Sequence, residues 1–257
     1  MELYFCISLQ RAGNTLLGSI LNQNPDITFT ANSPLTEIIY QLDCIKNQKN
    51  LKLSQHQNFP HNDSLDNVIR KTFYTYSETF GTKYVINRSN WGSEGNLELL
   101  EKYFDKKIKF LIIYRDPLQC LASLLKAYKI NKGDSNKAAD HYMNIETGVL
   151  GNVIHQMPFI QKNYEHLLIS YDEIVSDPQQ VINSIYKFFK IPKYTHSFTN
   201  LEQFKIQGIQ YNDSIFGDVD LHTIRTDKIE KKRYPIEDFL LPSVIEKYKN
   251  IGKEYES

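Results

Sequence analysis

Five short apolar runs, separated by longer stretches with helical periodicity, are the feature that most limits how this chain can fold. The runs cover residues 3–9, 27–31, 83–87, 109–115 and 166–171. Strands that alternate with amphipathic helices form parallel sheets with helices on both faces. The pattern therefore predicts an α/β protein with three layers and a central parallel sheet, and 257 residues are enough for one large domain or two small ones. Helices are expected to begin near Gly13, Pro34, Leu65, Gly95, Pro117, Asn136, Pro178 and Ile236.

The composition excludes several classes of protein. The chain has 30 basic and 30 acidic residues, and a net charge of zero gives no overall attraction to nucleic acid or to an anionic membrane. No apolar run approaches the roughly 20 residues that cross a bilayer, and the first predicted strand leaves no room for a signal peptide. Cys6, Cys44 and Cys120 have neither disulfide-framework nor zinc spacing. We expect a cytoplasmic protein without a membrane span, a nucleic-acid partner or a metal.

Two segments lack a sustained period. Residues 46–64 are polar and are predicted to form a loop. Residues 193–234 are a longer excursion, and a segment of that length inside a compact domain is usually functional or disordered. A flap over a ligand and a partly disordered excursion are the two interpretations.

The turn after the first strand has the features of an anion site. It leads into a helix, so backbone N–H groups and the positive end of the helix dipole point at one place. Gly13 allows close approach of a ligand, Asn14 and Thr15 add polar side chains, and Arg11 adds a guanidinium fork. The lysine of a nucleotide-kinase P-loop is missing. The alternative is a plain strand-to-helix turn with a surface arginine.

A second arginine follows the fourth apolar run. Arg115 precedes Asp116 and Pro117, which begin a helix, and Ser123 lies two turns along that helix. An arginine that folded back over the first turns could share one phosphate with the Ser123 hydroxyl. The alternative is a capped helix start with a salt-bridged arginine.

These segments resemble the sulfotransferase family, in the family's order along nearly the whole chain. Residues 11–17, RAGNTLL, resemble its 5′-phosphosulfate loop, and Arg115-Asp116-Pro117 with Ser123 resembles its 3′-phosphate segment. Residues 87–91, NRSNW, are similar to the segment that carries a catalytic lysine in the protein-tyrosine branch. Residues 167–192 are similar to the strand end and helix that follow, and residues 196–202 and 221–225 look like the tail of bacterial members.

The resemblance implies a single P-loop-like α/β/α domain over residues 1–257, with residues 193–234 as a loop or lid. It also implies an enzyme that uses 3′-phosphoadenosine-5′-phosphosulfate (PAPS) without a metal. Such an enzyme moves a sulfonate group to an acceptor hydroxyl or amine by in-line displacement. The acceptor, whether carbohydrate, lipid, peptide or small molecule, does not follow from the sequence. The implied cofactor-binding residues are Arg11, Ala12, Gly13, Asn14, Thr15 and Leu16 at the 5′ end, Arg115 and Ser123 at the 3′-phosphate, Tyr171 near the nucleotide, and Arg225 and Lys228 in the later loop.

For catalysis, the resemblance indicates Arg11 and Arg88 as groups that stabilise charge on the leaving phosphate. An arginine does not donate a proton at neutral pH. The position of the protein-tyrosine branch's glutamate base is occupied by Asn32, so Glu37 is the first substitute and His222 another. Because Asn32 cannot act as a base, an alternative is a protein that binds PAPS or its product 3′-phosphoadenosine-5′-phosphate (PAP) and is catalytically inactive. A P-loop nucleotide kinase is a further alternative, disfavoured by the absent lysine.

Overall fold

A computed structural model describes residues 1–47, 63–216, 221–224 and 226–253. Its main sheet has five parallel strands in the order β2-β3-β1-β4-β5. The strands are β1 (Glu2–Ser8), β2 (Ile27–Phe29), β3 (Tyr84–Arg88), β4 (Lys109–Tyr114) and β5 (Glu165–Ser170). Each lies within about a residue or two of the run that predicted it, so the central parallel sheet is confirmed.

Eleven α-helices occur in the part of the chain that the structure describes. They are α1 (Asn14–Leu21), α2 (Leu35–Asn47), α3 (Ser64–Glu78), α4 (Glu94–Tyr103), α5 (Pro117–Ala127), α6 (Ser135–Tyr142), α7 (Gly151–Asn163), α8 (Tyr171–Ser176), α9 (Pro178–Phe189), α10 (Ile236–Phe239) and α11 (Pro242–Tyr248). The described helices provide no segment that is both long enough and apolar enough to span a membrane.

The alternation of side chains along β1 produces the three layers. Phe5 points to one face, where its ring meets the rings of Phe73 on α3 and Phe104 at the end of α4. Tyr4 points to the opposite face and stacks on Phe189 of α9, with ring centroids 4.1 Å apart. Successive side chains of a strand face opposite ways, so helices cover both faces and the α/β/α arrangement is confirmed.

The structure adds three helices that the sequence pattern did not predict: α7, α8 and α11. In α7, Gly151 and the internal Pro158 are residues that usually interrupt helices, and they hid the buried series Val153, Ile154, Met157 and Ile160. Helix α8 has only six residues, too few for a periodic pattern. It is nevertheless held by a capping box in which Ser170 and Glu173 bond each other's backbone N–H groups.

The two segments without periodicity differ in the structure. Helix α2 extends through Asn47 and α3 begins at Ser64, so both ends of the predicted loop 46–64 are helical; residues 48–62 lie outside the described residues. The region 193–234 contains a small hairpin of β6 (Lys205–Ile206) and β7 (Ile209–Gln210), followed by a 3₁₀ turn (Asp213–Phe216).

The base of that region is anchored to the domain. Phe204 is fully buried, and its ring covers Gly18 of α1 so closely that a Cβ there would lie 2.6 Å from Phe204. The Gln203 side chain donates to the Ile224 carbonyl and accepts from the Ile224 N–H, at 2.8 and 3.0 Å. Residues 199–203 therefore run against residues 224 and 226–228, which ties these two parts of the region together.

Candidate functional site

A cavity opens beyond the carboxyl ends of β1, β3 and β4. Crevices at this edge of a parallel sheet are where ligands of α/β proteins bind. Six charged side chains line it: Arg11, Arg88, Arg115, Lys228, Glu230 and Lys232. The other lining residues are Gln10, Gly13, Asn14, Thr15, Leu16, Ala31, Asn32, Ser123, Tyr128, Tyr171, Leu221, His222, Thr223, Ile224, Ile229 and Tyr234. Eleven of the candidate site residues from the sequence thus meet at one place: Arg11, Gly13, Asn14, Thr15, Leu16, Arg88, Arg115, Ser123, Tyr171, His222 and Lys228.

The turn between β1 and α1 has a left-handed backbone at two positions. Gly13 has a φ of 91°, which favours glycine, and Arg11 has a φ of 68°. A Cβ on Gly13 would lie 2.8 Å from Cδ2 of the Tyr171 ring. Both conformation and space therefore require glycine at position 13.

The amino end of α1 presents amide groups to the cavity. The first N–H groups of a helix have no partner within it, and no side chain in the described chain caps α1. The first helical bond runs from the Leu17 N–H to the Gly13 carbonyl, at 3.0 Å. The amides before Leu17 and the helix dipole can receive an anion here.

Two residues of this turn do not act as the sequence suggested. Ala12 is completely buried and lies outside the cavity wall; its N–H donates to the Leu9 carbonyl at 3.3 Å. The amide of Asn14 also donates to the Leu9 carbonyl, at 3.2 Å, and Asn14 Oδ1 is buried without a partner in the described structure. The tight turn directs both residues inward, so the expectation of a side-chain donor at Asn14 is corrected.

Arg11 connects three parts of the cavity wall. Its Nε donates to Ser123 Oγ at 3.1 Å, and its Nη1 donates to the Leu221 carbonyl at 2.6 Å. The Arg11 carbonyl accepts from Nη1 of Arg115 at 2.9 Å. The turn after β1, helix α5 and the segment at Leu221 are thereby held together around one guanidinium.

Arg115 lies against aromatic and carbonyl groups. Its side chain is 8% exposed, and its guanidinium carbon lies 4.1 Å from the centroid of the Tyr171 ring. Besides the Arg11 carbonyl it donates to the carbonyl of Lys232. The neighbouring Asp116 caps α5 by accepting from the N–H groups of Leu118 and Gln119. Arg115 is therefore a buried cation whose charge can serve a ligand.

Ser123 contacts Arg11 and Tyr234 rather than Arg115. Its hydroxyl donates to the Tyr234 hydroxyl at 3.3 Å. Burial acts to raise the pKa of Tyr234, but hydrogen bonds with Ser123 and Lys232, and the nearby charge of Arg11, outweigh it and hold that pKa below its usual value. Ser123 bonds Arg11 while the Arg115 side chain lies along Tyr171; both residues line the cavity, and their sharing of one phosphate stays a prediction.

Arg88 ends β3 on the other side of β1. Its Nε donates to Ser8 Oγ at 2.9 Å, and its Nη1 donates to the Ala31 carbonyl at 3.1 Å. Burial lowers the pKa of this guanidinium from its usual value, but an arginine remains charged. Arg88 is therefore held as a fixed cation in the cavity wall.

The first substitute for a general base is not in the cavity. Glu37 lies on the exposed face of α2 and accepts from Gln41 Nε2 at 2.7 Å. It is outside the cavity wall because helical periodicity turns it away from the buried Thr36 and Ile39. Asn32 does line the cavity, and His222 does as well.

The segment 226–234 contributes residues to the cavity wall, and several of them were not predicted from the sequence. Lys228 lines the cavity and forms an ion pair with Glu230, whereas Arg225 lies outside the described residues. Lys232 and Tyr234 also line the cavity. Two hydrogen bonds of 2.8 and 2.9 Å join the backbone of Tyr234 to the side chain of Gln119 on α5. The basic run at residues 231–233 was the signal that could have identified this segment.

Comparison with known proteins adds a family match. A family model described as "Sulfotransferase family" matches residues 4–196. None of the curated proteins matches the sequence.

Several solved structures resemble the chain. Mouse sulfotransferase SULT7A1 complexed with PAP has a TM-score of 0.53 at 12% identity, covering 99% of this chain and 84% of that one. A sulfotransferase from Alicyclobacillus acidocaldarius has a TM-score of 0.49 at 15% identity, covering 77% and 85%. Retinol dehydratase in complex with androsterone and PAP has a TM-score of 0.46 at 12% identity, covering 98% and 80%.

Proposed function

The chain belongs to the sulfotransferase family, and from that premise we propose that its cavity binds PAPS and transfers the sulfonate group to an acceptor hydroxyl or amine. The observation that carries the proposal is the meeting of Arg11 and Arg115 in one cavity. They follow the adjacent strands β1 and β4, and Arg115 Nη1 bonds the Arg11 carbonyl at 2.9 Å. A nucleotide with anionic groups at both ends suits such a pair of cations.

The 5′ end of the nucleotide is assigned to the turn before α1. The uncapped amides of α1, the Thr15 side chain and the Arg11 guanidinium supply donors and positive charge at one point. PAPS supplies the sulfonate and a phosphate leaving group. Donors fixed in advance at this phosphate lower the barrier as negative charge grows on it.

The 3′-phosphate is assigned to Arg115, Ser123 and Lys232. These residues line the same cavity, and Arg115 already bonds the backbone of Lys232. Tyr171 holds the Arg115 guanidinium in place through its ring. Gly13, Asn14 and Leu16 would contribute mainly backbone groups, and Lys228 a further charge.

Arg88 is assigned to the transferred sulfonate group. Its bonds to Ser8 and to the Ala31 carbonyl fix the guanidinium before a ligand binds. The acceptor remains a carbohydrate, a lipid headgroup, a peptide or a small molecule. A cytoplasmic setting belongs to the proposal, because Cys6, Cys44 and Cys120 are all free thiols and disulfides are rare in the cytosol.

Calorimetric titration with PAP tests the proposal. We expect PAP to bind at least about 10-fold more tightly than adenosine 5′-phosphate, since each hydrogen bond to a charged group contributes about 1.5–3 kcal/mol. Arg11→Met should weaken PAP binding by a similar factor. Arg70→Met on the exposed face of α3, outside the cavity wall, is the matched control and should leave it unchanged.

Equal affinity for the two nucleotides, or no binding of PAP, would refute the nucleotide assignment. Incubation with labelled PAPS and a broad panel of acceptors then separates an enzyme from an inactive binding protein. Retained PAP binding without any transfer of label would favour the inactive form.

A further inference from the structure

We propose that His222 is the general base that removes the acceptor's proton, and that Asp213 positions it. This inference rests on the proposed sulfonate transfer, which needs a proton acceptor when the nucleophile is a hydroxyl. Asn32 lines the cavity but cannot accept a proton, and the exposed Glu37 lies outside the cavity wall, so neither residue can act as this base.

The position of His222 in the chain places it at the reacting end of the cavity. The carbonyl of Leu221, the preceding residue, accepts from Arg11 Nη1 at 2.6 Å. Arg11 belongs to the turn assigned to the 5′-phosphosulfate, and His222 lines the same cavity. His222 therefore directly follows Leu221, the residue whose carbonyl bonds that turn.

The orientation of the imidazole is fixed by hydrogen bonds and stacking. Its Nδ1 lies 2.5 Å from Asp213 Oδ1, while Asp213 Oδ2 accepts from the N–H groups of Leu221 and His222 at 3.0 and 2.8 Å. The ring stacks on Tyr211, with centroids 4.3 Å apart and planes at 29°. The Tyr211 hydroxyl in turn donates to the Asn32 carbonyl at 2.6 Å.

The charge of Asp213 selects the useful tautomer. Burial acts to raise the pKa of Asp213, but its hydrogen bonds with the His222 side chain and backbone outweigh burial and hold that pKa below its usual value. A charged carboxylate keeps the proton of a neutral imidazole on Nδ1 and leaves Nε2 free to accept one. Among the described residues, His222 forms its hydrogen bonds through Nδ1 and its backbone N–H, and Nε2 has no partner.

Other charged groups share this environment. Asp213 and Tyr211 touch the ring, and the charged side chains of the surrounding cavity wall are Arg11, Arg88, Arg115, Lys228, Glu230 and Lys232. Tyr128, Tyr171 and Tyr234 complete the titratable set. Glu230 is the only carboxylate of the wall among the described residues, and it is ion-paired with Lys228.

The proposed step conserves atoms and charge. The acceptor oxygen forms a bond to sulfur, and the bond between sulfur and the bridging phosphate oxygen breaks with its electron pair going to that oxygen. The acceptor proton moves to Nε2 of His222, and the imidazolium later releases it to solvent. The products are a sulfate ester, PAP and one proton. Arg11 stabilises the charge on the departing phosphate.

The test measures PAP formed from PAPS with water as the acceptor, since water needs no specific pocket. His222→Ala should lower the rate by about 100-fold or more while PAP binding by calorimetry stays unchanged. Added imidazole should restore part of the rate, which a purely structural loss would not allow. His155→Ala, an exposed histidine on α7, is the matched control.

Asp213→Asn separates positioning from proton transfer. Removal of the carboxylate leaves the imidazole free to change tautomer or turn, so the rate should fall while PAP affinity stays unchanged, and Asp213→Glu should recover part of the rate. Glu37→Gln, on the exposed face of α2 and outside the cavity wall, should leave the rate near that of the wild type.

Four results would overturn the assignment: an unchanged rate in His222→Ala, no rescue by imidazole, a large loss in Glu37→Gln, or no PAP formed by wild-type protein that binds PAP. Failure of the wild-type protein to bind PAP at all would instead count against the proposed nucleotide site.

Discussion

Replacement of Gly13 by alanine tests whether the turn before α1 is shaped by both backbone conformation and the Tyr171 ring. The φ of 91° at Gly13 makes any side chain there cost about 1–2 kcal/mol. The new Cβ would also lie 2.8 Å from Tyr171 Cδ2. Tyr171 is 7% exposed, its hydroxyl accepts from the Lys232 N–H at 2.9 Å, and its ring covers Arg115, so it has little room to move.

The overlap should add about 1–3 kcal/mol, as overpacking of a core does. We therefore expect Gly13→Ala to lower the free energy of unfolding by about 3 kcal/mol and the Tm by about 6–12 °C. Denaturant unfolding followed by circular dichroism measures the change. Gly95→Ala is the control, because no atom lies within 4 Å of a Cβ on Gly95.

A double-mutant cycle separates the two contributions. In a Tyr171→Ala background the steric cost disappears, whereas the cost of the left-handed backbone remains. The coupling energy between the two sites should be about 1–3 kcal/mol. A coupling energy near zero would refute the proposed contact, and a Gly13→Ala penalty below about 0.5 kcal/mol would refute both the contact and the backbone strain.

Two further predictions concern Arg88 and Glu165. Arg88→Met should lower the rate of PAP formation from PAPS by about 100-fold or more, while the affinity for PAP stays the same. A loss of PAP affinity would instead show that Arg88 binds the nucleotide. Hydrogen bonds with Lys107 and Lys109 lower the pKa of Glu165 from 4.5 to about 2; stability from this carboxylate is therefore complete above pH 4.5 and lost as the pH falls towards 2. Glu165→Gln should flatten the pH dependence of unfolding in that window, and an unchanged slope would exclude the effect.

The sheet was predictable because its strands carry strong local signals. Buried parallel strands read as continuous apolar runs, and each of the five gave such a run. The arginine after β1 and the arginine after β4 were predictable as one site for the same reason, since adjacent parallel strands end at the same sheet edge. Helix α7 was hidden because its glycine and proline oppose helix formation locally, while Met157 and Ile160 are buried by tertiary packing.

The inner contacts of the site were not predictable from local sequence. Arg11 bonds Ser123 and Leu221, which are 112 and 210 residues away along the chain, and no motif specifies such pairs. The pairing of His222 with Asp213 depends on a turn in a segment without periodicity. Glu37 was favoured because it is close in sequence to the position of interest, but the helix turns it towards solvent.

The unequal distribution of charge has a consequence for how ligands arrive. The cavity wall holds five cationic side chains and one carboxylate, which is an excess of four positive charges. The whole chain has a net charge of zero, so the rest of the chain carries a formal excess of four negative charges. At distances beyond the Debye length of about 10 Å the two contributions are screened, and a dissolved anion meets no long-range pull. An anion therefore has to enter the cavity to come within a Debye length of all five cationic side chains. For the proposed nucleotide, diffusion into the cavity therefore precedes any attraction by the charge of its wall.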